Sequence, residues 1–316
     1  MGRTIVTGSP DASRPPESGH RETLSQPRPP TAIREDVVLD GYTSLRVGGP
    51  ARFFAEPTAV DGVSDAVAWA GEARLSVAVL GAGTNTVFDD GGYSGLVLST
   101  RGLRGARFGG TRIVAAAGEP LSRLVWAACE RGFSGLEWAC GIPGTIGGAV
   151  AMNAGAGGRD IAAVLVSADV LSSGKRVTVS ADSLGFGYRT SSLLAGDLRG
   201  VVVEATFALR RDDPRACLDR ARSSIAERLS RLPVGASAGC VFRNPDTGPT
   251  AGELLDCAGC KGLRVGRAVV STRHANVIIN EGVGNARDVL ELIDRMKSRV
   301  LDAFGVELRE EVVIHR

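Results

Sequence analysis

Ser76-Val-Ala-Val-Leu-Gly-Ala-Gly-Thr-Asn-Thr86 joins a short apolar run to a cluster of glycine and hydroxyl residues. Ser76–Leu80 has the length and composition of a buried strand, and Gly81 and Gly83 follow it directly. A Gly-x-Gly placed after a strand invites the dinucleotide-binding fingerprint, which also requires a third small residue three positions on and a helix behind it. Thr86 stands in that third place, and VFDDGGYSGLVLS continues the chain as a turn and a second strand at Gly95–Ser99. The fingerprint therefore fails. What survives is a loop whose bare backbone amides, with Thr84, Asn85 and Thr86 as side-chain donors, suits a pyrophosphate. An ordinary tight turn between strands accounts for the run equally well.

Working outward, Thr58-x-x-Asp61 reads as a capping box, and Val60, Val63, Val67 and Ala70 fall at helical spacing, which predicts a helix over 59–72. Arg112–Ala116 reads as a strand, and Pro120–Arg131 as a helix with Leu121, Leu124, Val125 and Ala128 inward. This half is mixed α+β. From Gly132 to Gly158 the chain runs GFSGLEWACGIPGTIGGAVAMNAGAGG, nearly uncharged and without a clear period. A structureless stretch of that length is unusual unless it wraps a ligand. Strands are expected at 164–170, 175–180 and 200–209, the first two joined by a turn at Ser172–Lys175, and a surface helix at Pro214–Leu232. The remainder predicts a helix near 250–258, strands near 267–271 and 275–280, and a helix over Ala286–Phe304 stopped by Gly305. Val306–Ile314 reads as a closing strand. No internal repeat is present.

The chain has 316 residues, enough for about two to three domains, each with its own core. Residues 1–35 are rich in Pro, Ser, Arg and Glu with no hydrophobic period, and are expected to be disordered. The net charge of +2 is spread along the chain, so no nucleic-acid-binding stripe is expected. No stretch reaches the roughly 18 apolar residues of a membrane span, and the N-terminus lacks the apolar core of a signal peptide. A cytoplasmic protein follows. Its six cysteines, outside any secretory context, read as free thiols. Cys257-x-x-Cys260 has no second pair at zinc-site spacing, so two small half-buried residues on a helix are expected there, and no metal.

LGAGTN, WACGIPGTIGGAVAMNAGAGG, YRTSS, SAGCVFRNP, KGLRVG, HANVIIN and the terminal LREEV occur in that order. Over roughly residues 40–316 this series resembles the UDP-N-acetylenolpyruvoylglucosamine reductases, flavoenzymes of bacterial peptidoglycan synthesis. The resemblance implies an α+β fold. Residues 36–211 would form a two-lobed FAD-binding domain of the vanillyl-alcohol-oxidase (PCMH) type, and 212–316 an α+β substrate-binding domain. It implies an oxidoreductase acting on a CH–CH bond, with NADPH and UDP-N-acetylglucosamine enolpyruvate as co-substrate and substrate; no obligatory protein partner is evident in the sequence. Oxidases of the same fold commonly tether their flavin through a histidine ahead of the Gly-Gly turn, and Ile33–Gly49 contains none, so the FAD is expected to be non-covalent. Residues 190–236 are too short for the extra tyrosine loop of the longer family form, and Tyr188 is the last tyrosine, which matches the shorter type II form.

The two glycine regions together are expected to hold the FAD through Gly81, Gly83, Thr84, Asn85, Thr86, Gly141, Pro143, Gly144, Gly147, Gly148 and Asn153. Arg189 matches the arginine that neutralises the developing enolate, for which a fixed cationic fork suits a carboxylate. Strand alternation sets Glu310 and Glu311 on opposite faces without choosing between them, and the resemblance selects Glu311 as the acid that partners the enolate oxygen. The proton donor falls on Cys240, where the commonest family pattern has serine. A thiol is more acidic than a hydroxyl and can deliver the same proton. Tyr188, Arg231, Asn244 and His274 are implied substrate contacts.

Overall fold

The computed structural model describes residues 29–30 and 32–316. Most of the 1–35 segment therefore lies outside the described residues, although Ile33–Glu35 already belong to a strand. The first lobe runs β1 (Ile33–Val38), β2 (Pro50–Ala55), α1 (Val60–Glu72), β3 (Val77–Leu80), β4 (Thr86–Phe88) and β5 (Tyr93–Ser99). Its sheet has the order β1-β2-β5-β3, with β2 and β3 both parallel to β5. Helix α1 covers one face through Val63, Ala66, Trp69 and Ala70, and Trp69 meets Phe53 edge-on with ring centroids 4.9 Å apart. Its expected capping box is absent. The N-cap is Ala59, one residue later than Thr58, which brings Gly62 to the position where a reciprocating side chain would be needed.

The second lobe runs β6 (Ala106–Gly109), β7 (Arg112–Ala116), α2 (Leu121–Glu130), β8 (Phe133–Ser134), α3 (Ile146–Ala151), β9 (Gly155–Ala156), β10 (Arg159–Asp160), β11 (Leu165–Ser172), β12 (Lys175–Ser180), α4 (Ser192–Ala195), β13 (Val201–Ala208), β14 (Arg210–Arg211) and α5 (Pro214–Arg231). Its antiparallel sheet has the order β12-β11-β13-β7-β6. Between β11 and β12, Ser173 (φ 48°) and Gly174 (φ 74°) form the two-residue turn whose twist matches the strands. The glycine-rich stretch 132–158 is not structureless: it holds β8, α3 and β9, elements too short to show a period. Helix α5 starts on the N-cap Asp213 and buries Cys217 and Ala221 in the core of this lobe.

The third part contains α6 (Ala251–Cys257), β15 (Arg264–Val265), β16 (Ala268–Val270), β17 (Ile278–Asn280), α7 (Ala286–Phe304) and β18 (Val313–His315). Cys257 is the exposed last residue of α6, and Cys260 is buried just beyond it. Helix α7 buries Val289, Leu292, Ile293, Met296 and Val300 and stops at left-handed Gly305. Only the end of the expected closing strand is a strand, because β18 pairs in parallel with β4 of the first lobe, Val313 opposite Thr86. Before it, Glu310 makes an isolated bridge to Phe242. The core under α7 also takes in Leu45, Val47 and Val87 from the first lobe, so the two ends of the chain share packed surface. Among the described residues no helix is long and apolar enough to cross a membrane.

Candidate active site

The loop after β3 has its carbonyls tied back into the protein. Arg101 donates from Nε to the Gly81 carbonyl (3.1 Å) and from Nη2 to that of Ala82 (2.8 Å), and the Ser44 amide donates to Gly83 (2.9 Å). Gly83 lies at φ 66°, a conformation that glycine alone adopts without strain. Among the described residues, the amides of Ala82, Gly83, Thr84 and Asn85 find no acceptor. A loop with its carbonyls inward and its amides unspent is a nest for an anion. Burial lowers the pKa of Arg101, against the attraction of Glu56, and its cation lies directly behind the loop.

The second glycine region closes against the first. Thr84 Oγ1 donates to the Pro143 carbonyl (3.2 Å), and a Cβ on Gly81 would come within 2.5 Å of Thr145 Oγ1. Gly141 (φ 93°) and Gly144 (φ 140°) turn the chain here. The remaining donors expected for the cofactor are distributed unevenly. Gly147 N–H is spent on Ala117 O (2.8 Å) and Gly148 N–H on Thr145 Oγ1 (3.4 Å). Buried Asn153 donates to Gly187 O (3.0 Å) and Asp160 Oδ2 (3.1 Å) and accepts from Ala162 N–H (3.0 Å). Its side chain organises protein. With unspent backbone amides and glycine walls, the cradle of 81–86 and 141–145 fits the diphosphate of an FAD, although the expected side-chain donors Thr84 and Asn85 are spent on protein acceptors.

Asn153 prepares the catalytic candidates. Gly187 and Thr190 exchange backbone hydrogen bonds of 3.1 and 3.3 Å, which sets Tyr188 and Arg189 at the tip of a two-residue turn. Arg189 takes φ 54°, a strained conformation for a non-glycine residue that costs on the order of 1 kcal/mol. The turn aims its guanidinium inward: Nη2 donates to Gly155 O (2.8 Å), and Nε meets Glu311 Oε1 at 3.0 Å. Glu310 points the other way, to Lys297 Nζ (2.8 Å). Burial pushes the Glu311 carboxyl above the usual range, and the cations of Arg189 and Arg243 only partly oppose it. A carboxyl in that balance holds its proton to higher pH than a free one.

Cys240 lies on the stretch that makes an isolated bridge to Val277 beside β17. Its thiol is pushed up to about 11, first by burial and then by the Glu311 charge, while Arg189 and Arg228 pull it down. Cys240, Glu311 and Arg189 thus form one electrostatic group. Arg228 is the member that the sequence reading missed. It closes the stripe Cys217, Ala221, Ile225, Arg228 on the inward side of α5, a helical period that could have identified it, and its Cδ lies 3.6 Å from where a Gly141 Cβ would stand. Burial lowers its pKa, countered by Cys240 and reinforced by Arg189.

The four expected substrate contacts are spread more widely. Tyr188 is 54% exposed, with the Arg189 guanidinium 5.5 Å from its ring centroid. Arg231 pairs with Glu227 on the outside of α5. Asn244 Oδ1 accepts from Ala251 N–H (3.1 Å) at the start of α6, and His274 Nδ1 accepts from Asn276 N–H (3.3 Å). Burial and then the Lys261 charge lower the pKa of His274.

Two lobes joined by a glycine-lined diphosphate cradle, with a half-buried arginine, carboxyl and thiol grouped together, define an FAD-binding oxidoreductase. Residues 51–180 match the FAD binding domain family, and residues 231–315 match the C-terminal domain of UDP-N-acetylenolpyruvoylglucosamine reductase. A UDP-N-acetylenolpyruvoylglucosamine reductase of Chloroflexus aggregans is 41% identical over 290 residues, covering 90% of this chain and 97% of the relative. One of Synechococcus elongatus is 43% identical over 284 residues, covering 89% and 93%. The crystal structure of the Thermus caldophilus enzyme superposes with a TM-score of 0.77 at 36% identity, covering 90% of this chain and all of that one. The chain belongs to the UDP-N-acetylenolpyruvoylglucosamine reductase family.

Proposed function

We propose that the protein reduces UDP-N-acetylglucosamine enolpyruvate to UDP-N-acetylmuramate in the bacterial cytoplasm, as a step of peptidoglycan precursor synthesis. NADPH is the electron source. The loops 81–86 and 141–145 would hold the non-covalent FAD, whose N5 would supply to the enolpyruvyl double bond a hydride drawn from NADPH. The observation that carries this reading is the Arg189–Glu311 pair, 3.0 Å apart and electrostatically joined to Cys240.

Addition of hydride to one carbon of the double bond leaves the electron pair on the other, conjugated with the carboxylate. Arg189 balances that charge, and Glu311 hydrogen-bonds the enolate oxygen. Cys240 then gives its proton to the carbon beside the carboxylate, which completes the saturated lactyl ether. The thiolate left behind is balanced by Arg189 and Arg228 until solvent returns the proton. Tyr188, Arg231, Asn244 and His274 are the substrate contacts in this reading. Two-step stopped-flow kinetics test it: Cys240→Ala retains flavin reduction by NADPH and loses the subsequent oxidation by the enolpyruvyl substrate. Oxidation at the wild-type rate in that variant refutes Cys240 as the donor.

A further inference from the structure

Asn85 belongs to the cofactor loop, yet its side chain is directed elsewhere. Its Nδ2 donates to the Glu311 carbonyl (3.0 Å) and to Met152 Sδ (3.5 Å). An asparagine amide has two N–H donors, so both are used and only Oδ1 remains. The Asn85 carbonyl accepts from Val313 N–H (3.0 Å), which begins the β4–β18 ladder. The backbone N–H of the same residue is among the unspent amides of the diphosphate nest.

Glu311 is held from three directions. Its N–H donates to the Val241 carbonyl (2.7 Å), next to Cys240 in sequence; its carboxylate meets Arg189; its carbonyl is held by Asn85. The first two contacts fix Glu311 to the other members of the catalytic group. Asn85 alone among these ties it to the loop that holds the cofactor. Loss of that amide frees the Glu311 carbonyl to rotate toward water and lets the carboxyl drift along the chain direction.

We propose that Asn85 is a positioning residue for Glu311, tying the placement of the acid to the cofactor loop, and not a side-chain ligand of the cofactor. The proposal rests on the reading of Glu311 as the acid. It places no new group in contact with substrate. Asn85 acts through the backbone of Glu311, so hydride entry into the cofactor does not depend on it.

The test uses FAD-loaded wild type, Asn85→Ala, Asn85→Asp and Glu311→Gln, with flavin reduction by NADPH and flavin oxidation by the enolpyruvyl substrate measured separately. In Asn85→Ala, reduction stays within about twofold and oxidation slows about 100-fold, the scale of a misplacement near 1 Å. Asn85→Asp keeps the shape but turns an acceptor toward a carbonyl, so it is slower than the alanine variant; a space-filling role would give the reverse order. Amide hydrogen exchange on the same FAD-loaded variants provides a readout independent of turnover. Exchange in 309–313 accelerates in both Asn85 variants and is unchanged in 165–180. Unaltered exchange in 309–313 overturns the proposal, as does loss of FAD affinity with wild-type oxidation at saturating FAD. Wild-type oxidation in Glu311→Gln refutes the role of the acid itself. Slow Glu311→Gln with wild-type Asn85→Ala refutes the role of Asn85 alone.

Discussion

The thiol of Cys240 can act as a proton donor only if it holds its proton at working pH, and the structure gives a magnitude for that. A free cysteine ionises near pH 8.5, whereas burial and the nearby Glu311 charge move Cys240 to about 11. The difference of two to three units opposes the thiolate by roughly 3 kcal/mol. At pH 8 a free thiol is about one quarter ionised and Cys240 about 0.1%, a ratio of roughly 200. Iodoacetamide alkylates only the thiolate, so the flavin-free protein, pulsed across pH 7–11.5 and digested for mass spectrometry, reports the ionisation directly. Cys257, exposed at the end of α6, serves as the internal reference. Restricted access slows Cys240 by a constant factor, so the midpoint of its pH curve, and not its rate, decides the matter. Arg228→Gln moves the midpoint further up, because Arg228 pulls the thiol down. A midpoint below pH 8 for the wild type refutes the argument, since a thiol ionised at working pH has no proton to deliver.

Gly83→Ala places a methyl against the Tyr42 carbonyl and 2.9 Å from Thr43 Cα, at φ 66°. A loss of about 2–4 kcal/mol in urea unfolding and weaker FAD binding by fluorescence quenching are expected. Glu137 is buried and receives Arg220 Nε at 3.0 Å; burial raises its pKa, but backbone amides and the Arg220 and Ser134 hydrogen bonds outweigh that and lower it. A lowered carboxyl stabilises the fold above its unfolded-state pKa and loses that contribution as pH falls through the folded value. Glu137→Gln therefore costs about 1–3 kcal/mol near pH 7, discounted for the half-exposed arginine, and the gap to wild type closes in acid unfolding curves below about pH 4. Asp90 of the first lobe accepts from the Ala286 (2.7 Å) and Arg287 (2.8 Å) amides at the start of α7. Asp90→Ala costs about 1 kcal/mol, read by chemical denaturation, and an unchanged midpoint shows that water replaces this cap.

Patterns carried by neighbouring residues were legible in the sequence. Helix α7 and its stop at Gly305 came from apolar spacing and one glycine, and the β11–β12 hairpin from a Ser-Gly pair between strands. The ordered motifs pointed to the two glycine loops and to Arg189, Cys240 and Glu311, side chains that the fold brings into one electrostatic group. Local chemistry misled where one residue shifted the frame: Thr58 and Asp61 have the right types, but the helix starts at Ala59, and the box cannot close. The closing strand at 306–314 was too long because alternation reports a potential for pairing, and a continuous ladder exists only for its last residues, Glu310 before them making a lone bridge to Phe242.

By itself, then, the sequence determined the periodic elements, the glycine positions that must take left-handed φ, and the residue types of the site. The tertiary structure decided which groups face one another. Asn85 reaches Glu311 across 226 residues of chain, and Asp90 caps a helix 196 residues away; no short-range pattern encodes such contacts. Likewise, the elevated proton affinities of Cys240 and Glu311 belong to no residue type. They arise when the fold removes both groups from water and lets Arg189 and Arg228 oppose only part of the cost.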